Sequence, residues 1–352
     1  MGTKTAMITI AGRPNVGKST LLNFLVGEKI AIVSNKPQTT RNRICGILTR
    51  GEEQFVFVDT PGYHKPRTKL GDYMVNVTKN SIADVDLTVL VVEPIASLGP
   101  QEEGLIQQAQ ARKCPMILAI NKIDTVEKDT LLAVIDTYSK AAKFESIIPI
   151  SAKTGDGVGL LLDQCSKYCV DSPFLFPEDS TTDQPERQVM AEIIREKLLW
   201  CLDREIPHGT AVEITKFSER DNGIIDLDAT IFCEKASHKG IIIGKGGEML
   251  KKISTMARSD CEKFMGDVTS LEQLEEAFKG ADTVYHVAGI VDISGTKDKQ
   301  VWSVNYEGTK NVVAACKKCG VKTLVYCSSV DAIPAGEWIY LQGKRWNKRL
   351  KQ

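Results

Sequence analysis

No run in this 352-residue chain approaches the about 18 consecutive apolar residues that a bilayer-crossing helix needs, so none is expected. Net charge is lacking too. Against 45 Lys and Arg stand 45 Asp and Glu, so no global field draws the chain to nucleic acid, and any RNA contact must come from a local basic face. Ten cysteines occur without a pairing framework, and nothing at the amino terminus reads as a secretory signal; a reducing cytosol is the expectation. Cys165/Cys169 and Cys316/Cys319 each have the spacing of half a metal site. Neither has a matching second pair and both fall in helix-like stretches, so ordinary helical cysteines are expected. The rest is ordinary for a soluble globular protein: 42% hydrophobic and 26% charged residues, in a length that suits about two or three domains.

What is present is organised around Gly12-Arg-Pro-Asn-Val-Gly17-Lys18-Ser19. An apolar run, Met7–Ala11, precedes it and a helical pattern from Ser19 follows, which is the strand, glycine-rich loop and helix of a phosphate-binding P-loop. Glycines at positions 12 and 17 let backbone N–H groups turn toward phosphate oxygens, at a helix N-terminus that favours anions. Lys18 can reach the β- and γ-phosphates, and the Ser19 hydroxyl can ligate Mg²⁺. Gly12, Asn15, Val16, Gly17, Lys18, Ser19 and Thr20 are therefore the phosphate-side candidates.

Strand and helix patterns alternate through residues 1–170, which predicts a doubly wound, mostly parallel α/β sheet covered on both faces. The candidate strands are Met7–Ala11, Gln54–Val58, Leu87–Val92, Met116–Ile120 and Ile147–Ile150; all but the second are near-continuous apolar runs, as buried parallel strands should be. Three further motifs fall at strand ends. Asp59-Thr-Pro-Gly62 offers a carboxylate that can hold Mg²⁺ through water and a Gly62 N–H for the γ-phosphate. Asn121-Lys122-Ile-Asp124 offers a carboxylate that can accept two N–H bonds from the Watson–Crick edge of guanine, a pattern adenine cannot supply. Ser151-Ala152-Lys153 offers the Ala152 N–H for the guanine O6. In this order and at these places the motifs predict GTP and GDP as ligands.

These motifs resemble those of the translation-factor-related GTPases. A finer resemblance lies in Lys36-Pro-Gln-Thr-Thr-Arg-Asn-Arg43 and Asp59-Thr-Pro-Gly-Tyr-His-Lys-Pro66, which are similar to the switch regions of the Era family of bacterial ribosome-assembly GTPases. The resemblance implies that Thr40 closes over Mg²⁺ and the γ-phosphate, with Thr39 the alternative, so that Ser19, Thr40 and Asp59 form the metal set. Lys18, Thr40, Asp59 and Gly62 are the catalytic candidates. Where many GTPases carry a glutamine that orients the attacking water, this chain has Tyr63, which has no amide, and the Era family shares that departure. Slow intrinsic turnover is expected, since no arginine finger is evident. Related GTPases use the residue at Asn15 as a K⁺ ligand; bracing of the loop is the alternative role.

Residues 171–186, rich in Pro, Ser, Thr and acid, read as an interdomain linker. An amphipathic helix, Arg187–Arg204, follows, with Val189, Ile193, Ile194, Leu198 and Cys201 near one face. Two strands come next, Thr210–Phe217 and Ile224–Cys233, then Gly240-Ile-Ile-Ile-Gly244-Lys245-Gly246-Gly247 running into a basic helix. This is the order and the GXXG loop of an α+β type II KH domain over 187–266, in which the loop clamps about four nucleotides of single-stranded RNA. Gly244, Lys245, Gly246, Gly247, Lys251 and Lys252 are the RNA-binding candidates, with Arg258 extending the basic face. A rival reading takes Gly240, Gly244 and Gly246 as a dinucleotide-binding turn, which would put three isoleucines into a tight phosphate loop.

Beyond Gly266 the KH pattern stops where one more strand is expected. Residues 267–336 resemble instead the middle of an extended short-chain dehydrogenase/reductase, through Asp267, His286-Val-Ala-Gly289, Asn305-Tyr-Glu-Gly308 and Ser328-Ser329. Helix Leu271–Lys279, strand Thr283–Val287, helix Asn305–Lys318 and strand Thr323–Cys327 make an αβαβ Rossmann-like fragment, followed by a basic tail, 337–352, in which Tyr340 and Lys344 have a YxxxK spacing. The pyrophosphate loop and the substrate half of that family are missing, so no oxidoreductase activity is expected. The KH sheet is expected to lack its last strand unless Thr283–Val287 replaces it, which would weaken RNA binding while sparing GTP. The Era resemblance implies a GTP-hydrolysing switch that binds 16S ribosomal RNA and the 30S subunit, in the cytoplasm with peripheral membrane contact. The alternatives are an NAD(P)-dependent oxidoreductase carried by the last third, and a GTP- and RNA-binding scaffold without hydrolysis.

Overall fold

Apolar runs that leave no face for water must form strands inside a sheet, and the sheet of this chain is built that way. The computed structural model describes residues 2–34, 36, 39–41, 43–60, 85–203, 206–220, 225–266, 268–286 and 302–326. Gly62, Tyr63, Asp267, Gly289, Ser328, Ser329, Tyr340 and Lys344 lie outside them. The chain divides into two compact units, Met1–Ser218 with Asp226–Phe264, and Glu219–Ile225 with Met265–Gln352.

In the first unit, strands β1 (Lys4–Ala11), β2 (Ile44–Arg50), β3 (Glu53–Asp59), β4 (Leu87–Val92), β5 (Met116–Ile120) and β6 (Ser146–Pro149) lie in the order β2-β3-β1-β4-β5-β6. All neighbours run parallel except β2, which is antiparallel to β3. All six residues of β4 are buried, because successive side chains enter different cores. Leu87, Val89 and Val91 pack with α1 (Lys18–Val26) and the later helix Val158–Ser166, while Leu90 and Val92 pack with α2 (Pro100–Ala111) and α3 (Lys128–Ala141). The helix Val158–Ser166, α4, carries Cys165 fully buried in the first of these cores.

Two parts of this domain differ from the expectation. β2 was not foreseen: Ile44-Cys-Gly-Ile-Leu-Thr-Arg50 is short, carries a glycine, and becomes a strand by pairing with β3 over seven positions. Residues 171–186 are also more than a spacer. Val170–Asp171 forms β7, antiparallel to β1, Ile47 N–H donates to the Thr181 carbonyl at 2.8 Å, and Gln54 Oε1 accepts from Leu175 and Phe176 N–H at 2.9 and 3.0 Å. Open hydrogen-bonding groups of β1 and β2 and the Gln54 side chain of β3 hold the segment down.

The remainder of the first unit has the helix–strand–strand–helix order of a KH module. α5 (Glu186–Cys201), β8 (Thr210–Glu219), β9 (Ile225–Cys233), α6 (Ala236–Ile243) and α7 (Glu248–Met265) enclose Leu198, Leu202, Ile242 and Ile253, with Ile194, Ile214 and Ala257 beside them. Ile241–Ile243 are helical, so the rival dinucleotide turn is excluded: no strand leads into it. In the second unit α8 (Leu271–Ala277), β10 (Thr283–His286), a π-helical turn (Ser303–Gly308) continuing into α9 (Thr309–Cys319), and β11 (Thr323–Tyr326) surround Leu274, Val284, Val312, Ala315 and Cys316. β10 pairs in parallel with β11, and β8 with β9 forms a two-stranded sheet of its own. Among the described residues nothing takes the place of the third KH strand.

Candidate functional site

Gly17 is the N-cap of α1 with φ +100°, a backbone conformation that side-chain-bearing residues rarely adopt, and a Cβ there would stand 2.2 Å from Asn121 Nδ2. A Cβ at Gly12 would stand 2.4 Å from the Val91 carbonyl oxygen. The loop is thus pressed between β4 and the Asn121 side chain. That pressure leaves its outer face for an anion at the start of α1. Lys18 Nζ spans the loop, donating to the carbonyls of Gly12 at 3.2 Å and Arg13 at 2.9 Å. Burial pushes the ammonium down to about 8, opposed by the Asp59 charge, so this cation is short of partners until an anion arrives.

Three oxygen-bearing side chains meet beside it. Ser19 Oγ donates to Asp59 Oδ2 at 2.7 Å, and Thr40 Oγ1 lies 3.0 Å from Ser19 Oγ and 3.4 Å from Asp59 Oδ2. Asp59 is fully buried, and its other oxygen, Oδ1, has no well-formed hydrogen bond. Burial pushes this carboxyl up, opposed by Lys18 and by donors on Ser19, Thr40 and Thr60. Two hydroxyls and an under-satisfied buried carboxylate are hard oxygen donors of the kind Mg²⁺ takes, so these residues fit that ion. The Thr39 hydroxyl turns away, donating to the Lys36 carbonyl at 2.6 Å.

At the opposite flank of the loop Asn121 ties three motifs together. Its Nδ2 donates to the Val16 carbonyl at 2.8 Å and its Oδ1 accepts from Ala152 N–H at 2.9 Å. The Ala152 N–H, expected at the guanine O6, is therefore engaged inside the protein, and a base oxygen would have to share it. Asp124 is exposed, and Ser151 Oγ holds its Oδ1 at 2.7 Å. Lys122, in the left-handed region at φ +65°, donates to the Asn15 carbonyl at 2.8 Å and to Glu93 Oε1 at 2.6 Å. Glu93 was not among the expected residues. It lies just past the end of β4 and also pairs with Arg13 at 3.7 Å, a role with no short-motif signal. Thr20 lies in the first turn of α1 beside Ser19, and Lys153 is exposed after Ala152.

On the KH module Gly244, Gly246 and Gly247 have φ of +74°, +60° and +83°, so the GXXG loop takes a path closed to most other residues. Lys245, Lys251 and Lys252 are exposed around it, and Arg258, also exposed, pairs with Glu262 at 2.7 Å. Ile241 and Ile243 stand half-exposed on α6 beside this basic edge, an apolar complement to it. Among the described residues no cluster of three or more His, Cys, Asp or Glu is placed to hold a metal, and no helix is long and apolar enough to cross a membrane.

Comparison with known proteins gives this geometry its relatives. Residues 7–122 match the family described as 50S ribosome-binding GTPase, residues 205–276 match the KH domain, and residues 241–343 match the 3-beta hydroxysteroid dehydrogenase/isomerase family. GTPase Era of Ruminiclostridium cellulolyticum is 53% identical over 272 residues, which are 77% of this chain and 91% of the relative. GTPase Era of Alkaliphilus metalliredigens is 49% identical over 273 residues, 77% of this chain and 92% of the relative. Among solved structures, Era in complex with MgGDPNP and nucleotides 1506–1542 of 16S ribosomal RNA superposes with a TM-score of 0.72 at 36% identity, covering 75% of this chain and 90% of that one. A variant of Aquifex aeolicus Era bound to GDP.AlF4- gives the same TM-score, identity and coverage. With relatives 49–53% identical over about three quarters of this chain and 91–92% of their own length, the chain belongs to the GTPase Era family.

Proposed function

We propose that this protein is a GTP-hydrolysing switch that binds small-subunit ribosomal RNA through its KH module and assists 30S subunit assembly. The observation that carries the reading is the meeting of Lys18, Ser19, Thr40 and Asp59 at one flank of the P-loop, with Asn121, Asp124 and Ser151 at the other. When bound, Mg²⁺ would be held by Ser19, Thr40 and Asp59 and would supply charge neutralisation of the phosphates. Lys18 holds the phosphate oxygens, and the loop amides of 15–20 orient them against the start of α1. In the family's pattern the Gly62 N–H meets the γ-phosphate. Loss of that phosphate releases Thr40 and Gly62, which makes GTP a timer.

Water is positioned without a glutamine, and this is where a second cation belongs. Asn15, exposed at φ +65° in the loop, is the proposed K⁺ ligand. Single-turnover hydrolysis in matched potassium and sodium buffers tests the reading: faster turnover in potassium is expected. Equal rates would remove the K⁺ role, and no hydrolysis in either would favour the scaffold alternative.

RNA is held by the GXXG backbone with Lys245, Lys251 and Lys252. Each phosphate contact removed by a Lys→Ala change is expected to lower the slope of log affinity against log salt by about 0.7, as counterion release from a single strand dictates. Filter binding at several salt concentrations checks this, and an unchanged slope in the triple variant would place the RNA elsewhere. With β8 and β9 the only strands of its sheet among the described residues, the module should bind RNA less tightly than a chain given the family's third strand. The second unit is read as the dehydrogenase-like fragment: the match to the hydroxysteroid dehydrogenase family and the parallel β10–β11 pair support that resemblance. Among the described residues this unit has two four-residue strands, and no redox role is proposed for it. The family resemblance further suggests a cytoplasmic protein with peripheral contact to the membrane's inner face, testable by co-sedimentation with anionic vesicles.

A further inference from the structure

A surface helix buries one face, yet α5 buries three consecutive charged residues: Arg195, Glu196 and Lys197 are 2, 0 and 1% exposed. Successive helical positions differ by about 100°, so these three cannot share the face that Ile194, Leu198 and Leu202 turn to the KH core. Burying charge is unfavourable unless every group finds a partner. Partners come from α5 itself, from Asp260 on α7 and from the segment between α1 and β2, the one that carries Thr40. Arg195 Nη2 donates to the Thr39 carbonyl, one peptide unit from Thr40, while Glu192 Oε1 accepts from Arg195 Nε at 2.9 Å. Glu196 Oε1 accepts from Val33 N–H at 2.8 Å, and its Oε2 accepts from Lys29 at 2.6 Å and Lys197 at 2.7 Å. Asp260 on α7 accepts from the same two lysines at 2.7 and 2.5 Å, which closes the ring of charges.

The segment reaches back in the same way: Arg41 donates to the Thr210 and His208 carbonyls at 2.8 Å each, and Lys36 Nζ donates to the Leu202 carbonyl. From α5, Trp200 Nε1 also donates to the Val33 carbonyl at 2.9 Å. Residues on both sides of Thr40 are thus pinned to the KH module while its hydroxyl stands at Ser19 and Asp59.

We infer that Arg195 and Glu196 are positioning residues for the nucleotide site: α5 of the KH module holds the Thr39–Arg41 backbone so that Thr40 is presented to the Ser19–Asp59 metal set. The inference rests on the GTPase reading above, but its physical core, a KH helix fixing the backbone around Thr40, is measurable without nucleotide. Two arms are needed. In the nucleotide-free full chain, hydrogen–deuterium exchange of peptides covering Val33 and Thr39–Arg41 is compared among wild type, Arg195→Met, Arg41→Met and the surface control Lys263→Ala. Both arginine variants should exchange at least tenfold faster there, with β1 and β4 amides unchanged, and Arg195→Lys should restore part of the protection.

In the second arm, release of a fluorescent non-hydrolysable GTP analogue is followed by stopped flow, with Mg²⁺ and again with EDTA. Arg195→Met should speed release about tenfold with Mg²⁺ and leave the EDTA rate at the wild-type value, because Thr40 acts through the metal. Unchanged exchange and unchanged release in both arginine variants would overturn the inference, as would equal acceleration with and without Mg²⁺. Failure of the wild type to bind the analogue would sink the GTPase reading, leaving the exchange arm to judge the backbone contact by itself. Should Arg195→Met fail to fold, Arg41→Met, altered on the segment and not on the helix, carries both arms.

Discussion

Replacing Lys18 with alanine is expected to weaken GTP binding by about 10² to 10³-fold and to abolish measurable hydrolysis, since truncating one member of a desolvated charge pair costs about 3–4 kcal/mol. The side chain is nearly fully buried and bridges the Gly12 and Arg13 carbonyls, so its loss removes a phosphate ligand and also two ties across the loop. Equilibrium titration with fluorescent GTP and single-turnover hydrolysis measure the two effects. The wild type should carry a pH signature that the variant lacks. Burial puts the free-site ammonium at about 8, and a bound phosphate raises it. The bound form then holds more protons than the free form, so affinity should be level below pH 8 and fall as pH rises past it, by up to tenfold per unit. Titrations between pH 7 and 9 read this slope directly. A wild-type curve parallel to that of Lys18→Ala would mean that Lys18 does not meet the phosphates.

Asp124→Asn is expected to turn the base preference from guanine toward xanthine. A carboxylate offers acceptors to the N1–H and N2–H₂ donors of guanine; an amide offers one acceptor and one donor, which suits the N1–H and C2 carbonyl of xanthine. Two charge-assisted bonds at about 1.5–3 kcal/mol each are at stake, so GTP affinity should fall by about 10² to 10⁴-fold while XTP gains. The fold should tolerate the change, because Asp124 is exposed and an amide oxygen can still accept the Ser151 hydroxyl now held at 2.7 Å. Competition of GTP, XTP and ATP against a labelled nucleotide settles it. Equal loss for all three would point to a disrupted loop, and unchanged GTP binding would remove Asp124 from the base site. Restored turnover with XTP would also show that base recognition and chemistry are separable here, as the split between the two flanks of the P-loop suggests.

Local chemistry made much of this molecule legible. The near-continuous apolar runs at 87–92 and 116–120 correspond residue for residue to β4 and β5, because a strand buried on both faces has no other composition available. The P-loop, the guanine-side motifs and the GXXG loop are short, contiguous and tied to one ligand chemistry each, so spacing suffices to find them. β2 and the stitched segment 171–186 escaped detection for the opposite reason. β2 is short and mixed in composition and takes strand form by hairpin pairing with the adjacent β3, while 171–186 is held by β1 and β2, elements far off in sequence, so neither stretch announces its structure in its own residues.

Sequence alone therefore determined the α/β order, the phosphate and base motifs and the KH pattern, all of which are properties of segments a few residues to a few tens of residues long. Tertiary structure decided which of Thr39 and Thr40 stands at Asp59, that Asn121 Oδ1 accepts from the Ala152 N–H, and why Arg195, Glu196 and Lys197 are buried. Each of those depends on the positions of groups from separate elements. The charges of α5 look like a solvated face until the segment carrying Thr40 and helix α7 are laid against them; pairing with Val33, Thr39 and Lys29 on the one and Asp260 on the other, together with Glu192, offsets their burial.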